Sequence, residues 1–211
     1  MDSTSSRPTI ELPPPSPGTV SLDDALSTRR SIRQLSNESL SDAELSLLLW
    51  SMQGLTPDGN RTSPSAGATY PVEIYVLNER GVLRYRPASH DLEMVSADDI
   101  RPALYQEAAE QDAVRDAAAI FVIAGVFERT AVKYGERSVR YVHMEVGHVG
   151  QNLMLEVTAL GLGTVPVGSF DDDAVSRVLA LPAEHVPLYV FPVGHRNAQA
   201  LRAGTGSNQS K

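Results

Sequence analysis

Residues 119–126 read AIFVIAGV, an unbroken apolar run. A short run of this kind is typical of a β-strand that is covered on both faces, because neither face then alternates with polar residues. The run therefore predicts a strand at the centre of the fold.

On the C-terminal side, the apolar spacing predicts a long helix from about Glu136 to Leu160, with Gly161 as its stop. Gly147 and Gly150 lie inside this helix, although glycine destabilises a helix interior by roughly 1 kcal/mol. Interior glycines of this kind indicate close approach by another backbone or by a flat ligand. The remaining predictions are a strand near 164–167, an Asp-capped helix near 172–179 and a strand near 187–193.

On the N-terminal side, the predicted elements are a short helix capped by Ser21, a helix opening with the capping-box sequence Ser41–Glu44, strands at 72–77 and 82–86, and a helix at 97–109 capped by Ser96. Because strands are scattered among helices and one hairpin is antiparallel, the pattern favours an α+β fold over a doubly wound sheet.

A chain of 211 residues suits one domain with a substantial core. Residues 1–18 are rich in Ser and Pro and are interpreted as a flexible N-terminal arm. We expect the folded domain to span residues 19–196 and a C-terminal arm to span residues 197–211.

The composition excludes several classes of protein. A formal charge of −8 argues against nucleic-acid binding, which needs a clustered basic surface. The absence of cysteine excludes disulfides, thiolate metal sites and cysteine nucleophiles. No apolar run approaches the ~18 residues of a membrane span, and the N-terminus lacks the features of a secretory signal. We therefore expect a cytoplasmic protein with no membrane partner.

The first segment with chemical potential is Arg29-Arg30-Ser31-Ile32-Arg33, which follows the first helix. Guanidinium groups offer a rigid fork of donors, so three of them beside a hydroxyl are suited to gripping a phosphate dianion. A solvated basic turn is the alternative.

The second segment is a polar loop at 56–70, longer than most connections in compact domains. Its small residues from Pro64 to Gly67 would let exposed amides lie against a planar ring. An ordinary surface loop is the alternative.

The third segment is Lys133-Tyr134, a candidate proton-transfer pair. Lys133 is the only lysine before Lys211, in a chain that otherwise uses arginine, and lysine loses its proton far more readily than arginine. A lysine on a surface turn is the alternative.

Other kinds of site are poorly supported. Glu145-x-x-His148 has the spacing of half a di-iron site, but no second copy exists, so no metal site is predicted. There is no G-x-S-x-G elbow for a serine hydrolase, and Gly161-Leu162-Gly163 is too short for a dinucleotide fingerprint.

Taken in order, RRSIR, LLWSMQG, PSAGATYPVEIYV, KYGERSVRYVHMEVGHVGQNL, ALGLGTVPVGSFDD and PLYVFPVGH resemble the nitroreductase superfamily. The PSAG-x-x-YP and KYG-x-R-x-x-RY-x-x-x-E-x-GH elements resemble its SagB-like, thiazoline-oxidase branch in particular. The resemblance covers about residues 22–195.

The resemblance implies an α+β fold with a central, mostly antiparallel sheet flanked by helices, assembled as a homodimer with FMN at the subunit interface. It implies phosphate contacts from Arg29, Ser31 and Arg33, with backbone contacts from Arg30. It places Pro64, Ser65, Ala66 and Gly67 in a loop that reaches the flavin from the partner subunit. The remaining implied contacts are a flavin-facing turn at Gly168 and Ser169, a polar contact from Gln111 and a late basic residue at Arg202 or Arg196.

Two departures accompany the resemblance. Many nitroreductases carry an acidic residue where this chain has Gly168, so contacts from that turn must come from the main chain. Neither Arg202 nor Arg196 lies in a recognisable motif.

The resemblance also implies that Lys133 and Tyr134 are catalytic, taking a proton while the flavin accepts hydride from a small-molecule or peptide-derived, azoline-like substrate. The alternatives are an NAD(P)H-dependent nitro or quinone reductase, in which NAD(P)H is the electron donor, and a flavin-binding or docking protein without turnover.

Overall fold

The computed structural model describes residues 7–107 and 110–197. Within these ranges the strands are β1 (Thr9–Glu11), β2 (Leu35–Ser36), β3 (Val72–Asn78), β4 (Gly81–Arg86), β5 (Asp91–Ser96), β6 (Ala119–Gly125), β7 (Gly163–Thr164) and β8 (Val186–Arg196). The helices are α1 (Leu22–Thr28), α2 (Asp42–Gln53), α3 (Arg101–Glu107), α4 (Asp112–Arg115), α5 (Phe127–Tyr134), α6 (Ser138–Ala159) and α7 (Asp172–Val178). Short 3₁₀ turns span Ala66–Ala68 and Gly135–Arg137.

One sheet organises the fold, with strand order β1-β5-β4-β3-β6-β8-β2 and β7 paired to β8. Every pairing in it is antiparallel. The predicted hairpin is confirmed as β3 and β4, and the AIFVIAGV run is confirmed as β6, between β3 and β8. The predicted α+β class and mostly antiparallel sheet are therefore correct.

Helices cover both faces of the sheet. Phe121 and Ile123 of β6 belong to a core shared with α2 and α6, whereas Ile120 and Val122 belong to a second core shared with α3, α4 and α7. Successive side chains of a strand point to opposite faces, so a strand between two cores must be apolar throughout. All seven residues of β6 are buried accordingly.

Helices α2 and α6 begin and pack as the sequence pattern indicates. Ser41 and Glu44 form the complete capping box at the start of α2. A Cβ at Gly150 would lie 2.7 Å from the ring of Phe191, so the glycine lets α6 approach β8 closely. Gly147 has nothing within 4 Å of its Cβ position, which leaves this part of α6 open. No helix in the described part of the chain is long and apolar enough to cross a bilayer.

Two predictions of local structure are wrong. The helix predicted at 97–109 exists as α3, but its predicted cap and start are wrong, because Ser96 ends β5 and α3 begins only at Arg101. Residues 9–11 of the predicted flexible arm form β1, which pairs with β5. The arm continues to be held at Pro13, whose carbonyl accepts a 2.6 Å hydrogen bond from the Ser46 hydroxyl.

His90 completes this attachment, which we term the arm clamp (Pro13, Ser46, Tyr85 and His90). Its Nε2 lies 2.8 Å from Ser46 Oγ and 3.2 Å from the Pro13 carbonyl, and its Nδ1 lies 2.9 Å from the Tyr85 hydroxyl. Of the predicted C-terminal arm at 197–211, only Asn197 falls among the described residues; its amide donates to the carbonyl of Gln34.

Candidate functional site

The loop between α2 and β3 is anchored at its base by buried and partly buried hydrogen bonds. The Ser63 hydroxyl donates to the Met52 carbonyl at 2.7 Å, and the Thr62 hydroxyl donates to the Trp50 carbonyl at 2.9 Å. Asn152 of α6 donates to Ser63 Oγ at 3.0 Å. The Ser63 bond gives the Met52 carbonyl, at the C-terminal end of α2, a partner that the helix itself does not supply. The Thr62 bond adds to the one that the Trp50 carbonyl already accepts from the Gly54 amide.

The tip of this loop has an unusual backbone. Gly67, Ala68 and Tyr70 have φ angles of 60°, 55° and 45°. Residues other than glycine seldom adopt this left-handed region, and strain of this type persists only where surrounding contacts enforce it. One such contact is the hydrogen bond from the Tyr70 amide to Ser65 Oγ at 2.9 Å.

The loop tip contacts the Lys133-Tyr134 pair at the end of α5. Lys133 Nζ donates to the Gly67 carbonyl at 3.4 Å. A Cβ at Gly67 would lie 2.5 Å from the Tyr134 hydroxyl and 2.6 Å from Lys133 Nζ, so a side chain there would have to displace the ends of both side chains. The side chains of Thr69 and Thr130 add a 2.8 Å hydrogen bond between the loop and α5. The structure thus brings together Pro64–Gly67 and Lys133-Tyr134, two segments that lie far apart in sequence.

Both side chains of the pair are accessible to a substrate. Lys133 is exposed and Tyr134 is half-buried. Lys133 Nζ lies 5.6 Å from the centroid of the Tyr134 ring, which in turn packs edge-on against Tyr141 at 5.0 Å. The pair therefore presents an amine and a phenol side by side at the loop tip.

A buried polar cluster lies beneath the loop, and sequence reasoning did not identify it as part of the site. It contains Gln53 of α2, Glu145 of α6 and Arg61 of the loop; Gln53 Nε2 donates to Glu145 Oε1 at 3.4 Å, and Arg61 Nη1 donates to the Gln53 carbonyl at 3.0 Å. Burial raises the pKa of the Glu145 carboxyl, against the lowering effects of the Ser65 and Gln53 side chains and of the Arg61 charge. The available signal was the position of Glu145 in the apolar stripe of α6, between Val142 and Val149.

The predicted phosphate segment lies in a second region. The Ile32 amide donates to the Thr164 carbonyl at 2.8 Å, which places the segment beside β7. Arg29 is half-buried, and Arg30, Ser31 and Arg33 are exposed. None of the three guanidinium groups pairs with a carboxylate in the described part of the chain. Arg30 donates instead to the carbonyls of Ser27 and Arg29 at the end of α1.

Gly168 and Ser169 belong to the same region. Val167, immediately before them, bridges to Val190 of β8, the strand that also pairs with β7. Both residues are exposed, and a Cβ at Gly168 would meet only Tyr189, at 3.7 Å. The backbone of this turn is therefore accessible to a ligand.

The structure separates the two candidates for the late basic residue. Arg196 pairs with Leu35 in the β2–β8 ladder. Leu35 follows Arg33 by two residues, so Arg196 lies near the predicted phosphate segment. Arg196 Nε donates to the Leu162 carbonyl at 2.8 Å. Arg202 lies outside the described residues. Gln111 caps α4, and within residues 7–107 and 110–197 no hydrogen bond or ring contact joins it to either region.

The candidate site thus consists of two halves. The loop half comprises Pro64–Gly67 and Lys133-Tyr134, and the phosphate half comprises Arg29–Arg33, Gly168 and Ser169. No hydrogen bond joins the two halves across the described parts of the chain. Together they offer an amine, a phenol, free guanidinium groups and exposed backbone amides.

The chain is similar to known proteins both in sequence and in fold. A model of the nitroreductase family matches residues 26–195. A protein of Methanocaldococcus jannaschii that is provisionally named a nitroreductase is 40% identical over 195 residues, which are 89% of this chain and 98% of that protein. The microcin B17-processing protein McbC of Escherichia coli is 30% identical over 150 residues, which are 65% of this chain and 55% of McbC.

Among solved structures, a protein of Ralstonia eutropha, also provisionally named a nitroreductase, superposes with a TM-score of 0.80 at 24% identity and covers 92% of both chains. The NADPH:FMN oxidoreductase of Vibrio harveyi, complexed with NAD⁺, superposes with a TM-score of 0.64 at 19% identity, over 83% of this chain and 69% of that one. At these identities the two structures establish a shared fold.

Proposed function

The chain belongs to the nitroreductase family of oxidoreductases, and from this premise we propose that it is an FMN-dependent dehydrogenase of an azoline-like substrate, either small or peptide-derived. The observation that carries the proposal is the contact of Gly67 with Lys133 and Tyr134. The two segments that most resemble the thiazoline-oxidase branch therefore form one surface. The similarity to McbC, a peptide-processing protein, supports the same substrate class.

The phosphate half fits the phosphate of FMN. Arg29 and Arg33 have no carboxylate partner among the residues described, so their donors are free for a dianion. Ser31 adds a hydroxyl group, and Arg196 is a further cation close by. We assign these residues to the FMN phosphate, with Arg30 holding the end of α1 in place.

When bound, FMN supplies a hydride acceptor at flavin N5. Lys133 or Tyr134 would take the proton that the substrate loses, because both carry a titratable group at the exposed tip of the loop half. The main-chain amides of Gly168 and Ser169 would face the flavin N5 region. Pro64–Gly67 would lie against the ring, where small residues permit close approach.

The separation of the two halves supports a shared site. A homodimer with a two-fold axis would bring the loop half of one protomer to the phosphate half of its partner, and symmetry would create two such sites. The open surface of α6 around Gly147 is available for this contact.

An NAD(P)H-dependent nitro or quinone reductase is the second candidate function. The 40% identity to the Methanocaldococcus jannaschii protein supports it, since that protein is named a nitroreductase. In this case NAD(P)H would supply the electrons, and the Lys133-Tyr134 pair would be structural.

Mass analysis of the released flavin and anaerobic bleaching would test the proposal. We expect the purified protein to release FMN on denaturation. Its absorbance should bleach with an azoline-bearing peptide and return in air. Bleaching by NAD(P)H and not by azolines would favour the second candidate. Release of FAD, or no affinity for FMN, would refute both, and a bound flavin that no substrate reduces would indicate a protein without turnover.

A further inference from the structure

The buried pair formed by Gln53 and Glu145 beneath the loop half has two side-chain oxygen atoms without hydrogen-bond partners among the residues described. Both residues are 2% exposed. Gln53 Nε2 reaches Glu145 Oε1, but Gln53 Oε1 and Glu145 Oε2 have no hydrogen-bond partner among the residues described. Both unpartnered atoms are acceptors when the carboxyl group is ionised, and a buried polar atom left unpaired destabilises the fold by about 1–3 kcal/mol.

A single proton on the Glu145 carboxyl group would give both unpartnered oxygen atoms a hydrogen bond. A neutral carboxylic acid at Glu145 carries an O–H that can donate to Gln53 Oε1, while the existing bond from Gln53 Nε2 is retained. The two groups would then form a ring with two hydrogen bonds and no unpaired acceptor. The ring also avoids burying a negative charge, which is unfavourable without a paired cation.

The charges around Glu145 leave it without an ion-pair partner. Within residues 7–107 and 110–197 no salt bridge includes Glu145. The Arg61 charge lowers the Glu145 pKa from the loop, but no Arg61 nitrogen lies within ion-pair distance of the carboxyl group, and its Nη1 donates to the Gln53 carbonyl. Glu73 and Arg129, which line the cavity of about 210 Å³ beside Gln53, pair with each other. The direction of the Glu145 pKa shift agrees, since burial raises it.

We propose that Glu145 is held as a neutral carboxylic acid paired through two hydrogen bonds with Gln53, and that this pair positions the loop half of the site. Glu145 is on this view a positioning residue, since it contacts the loop and not the substrate. The positioning role rests on the proposed function; the protonation state does not.

The route from the pair to the site is short. Ser65 lies beside the Glu145 carboxyl group and lowers its pKa, and Ser65 Oγ also accepts the Tyr70 amide. Between these residues lie Gly67 and Ala68, whose left-handed backbone needs external support. The Gln53–Glu145 pair therefore supports the strained loop tip from below, through Ser65, while Gly67 contacts Lys133.

The pH dependence follows from the sign of the pKa shift. A carboxyl group with a raised pKa in the folded state is neutral there while it is already ionised in the unfolded chain. Its contribution to stability is complete below the ordinary value of 4.5 and is lost as the pH rises through the raised pKa. Ionisation breaks the second hydrogen bond, and we expect the loop tip to loosen.

Infrared spectroscopy and hydrogen exchange on the full chain would test the proposal. We expect a carboxylic-acid C=O band that persists above the ordinary pKa of 4.5 and is missing in Glu145→Gln. In the wild type, protection of the amides at 65–70, corrected for the intrinsic pH effect, should fall as the pH rises. In Glu145→Gln, whose carboxamide keeps a two-bond ring with Gln53 at any pH, this protection should stay constant.

Glu156→Gln is the matched control, because it makes the same change on α6 at a carboxyl group whose pKa burial also raises. It should leave the pH dependence of loop protection as in the wild type. A carboxylic-acid C=O band of equal intensity in wild type and Glu145→Gln above pH 4.5 would overturn the protonation claim. Unchanged loop protection in Glu145→Leu would overturn the positioning claim. Neither measurement requires turnover, so failure of the proposed function would appear separately, as an absence of flavin bleaching.

Discussion

A side chain added at Gly67 would collide with the ends of the Lys133 and Tyr134 side chains. Gly67→Ala should displace both side chains, because the new Cβ would lie within 2.6 Å of each. A shift of about 1 Å in catalytic groups lowers rates by up to ~10²-fold, and we expect a loss of that order in substrate-dependent flavin bleaching. Gly59→Ala is the control: Gly59 also has a positive φ, 82°, but nothing lies within 4 Å of its Cβ position. Equal rates in the two variants would contradict the assigned contact.

Lys133 and Tyr134 should be needed for the reaction but not for binding FMN. Lys133→Ala and Tyr134→Phe should each lower dehydrogenation by ~10²-fold or more, as expected when a general acid or base is removed. Bound FMN and its reduction by dithionite should be unaffected. Glu128→Ala, an exposed change on the same helix, serves as the control. Wild-type bleaching rates in both variants would make the pair structural and favour the NAD(P)H-driven reductase.

Arg29 and Arg33 should contribute directly to cofactor affinity. Replacing either by alanine should weaken FMN binding by roughly 1.5–3 kcal/mol, the range for a hydrogen bond to a charged group. Flavin fluorescence titration measures this. Arg177→Ala should bind FMN normally, because that arginine makes only an exposed ion pair with Glu107 on another helix. Unchanged affinity in both variants would remove the phosphate assignment.

At the scale of single residues, the parts of the site that carry a local signal could be predicted. The basic cluster, the small residues of the loop and the isolated lysine are visible in the sequence. The pairing of Gln53 with Glu145 joins residues 92 positions apart, and no local pattern reports such a contact. The acid in the apolar stripe of α6 was visible, but its partner was not.

Strand β1 depends on the arm clamp, which should open in acid. Burial lowers the pKa of His90 below its ordinary value of 6.5, despite the Pro13 hydrogen bond and the Asp91 charge, which raise it. A histidine with a depressed pKa contributes stability that is present above 6.5 and is lost as the pH falls through its folded-state pKa. Hydrogen-exchange protection of the amides at 9–12, corrected for the intrinsic pH effect, should therefore fall on acidification. His90→Gln should abolish this dependence, and His143→Gln, at an exposed position of α6, should preserve it.

Some helices and strands could be predicted from the sequence, and others could not. Strand β6 and helix α2 were predictable because burial on both faces and a capping box leave strong local patterns. Strand β5 was missed because Ser96 is followed by residues typical of a helix start, and the ladder with β4 that decides its conformation is a tertiary contact. Strand β1 was missed because its three residues precede a proline-rich stretch, and pairing with β5 overrides the composition.

At the scale of the molecule, the separation of the loop half from the phosphate half predicts a homodimer. Light scattering should give twice the chain's 22.8 kDa mass. Met144 is 53% exposed on the face of α6 near Gly147, so Met144→Glu should dissociate the dimer and release FMN. Val186→Glu, at a valine 36% exposed on β8, should do neither. A stable monomer that retains FMN would rule out the shared site.

The backbone at Ala68 has a stereochemical consequence. Its φ of 55° belongs to the region that the mirror-image amino acid prefers, and an L-residue pays roughly 1–2 kcal/mol to occupy it. D-alanine, introduced at this one position by chemical ligation, would fit the same contour without that penalty. The chain would gain stability through a single inverted stereocentre while every side-chain group at the loop tip stayed the same.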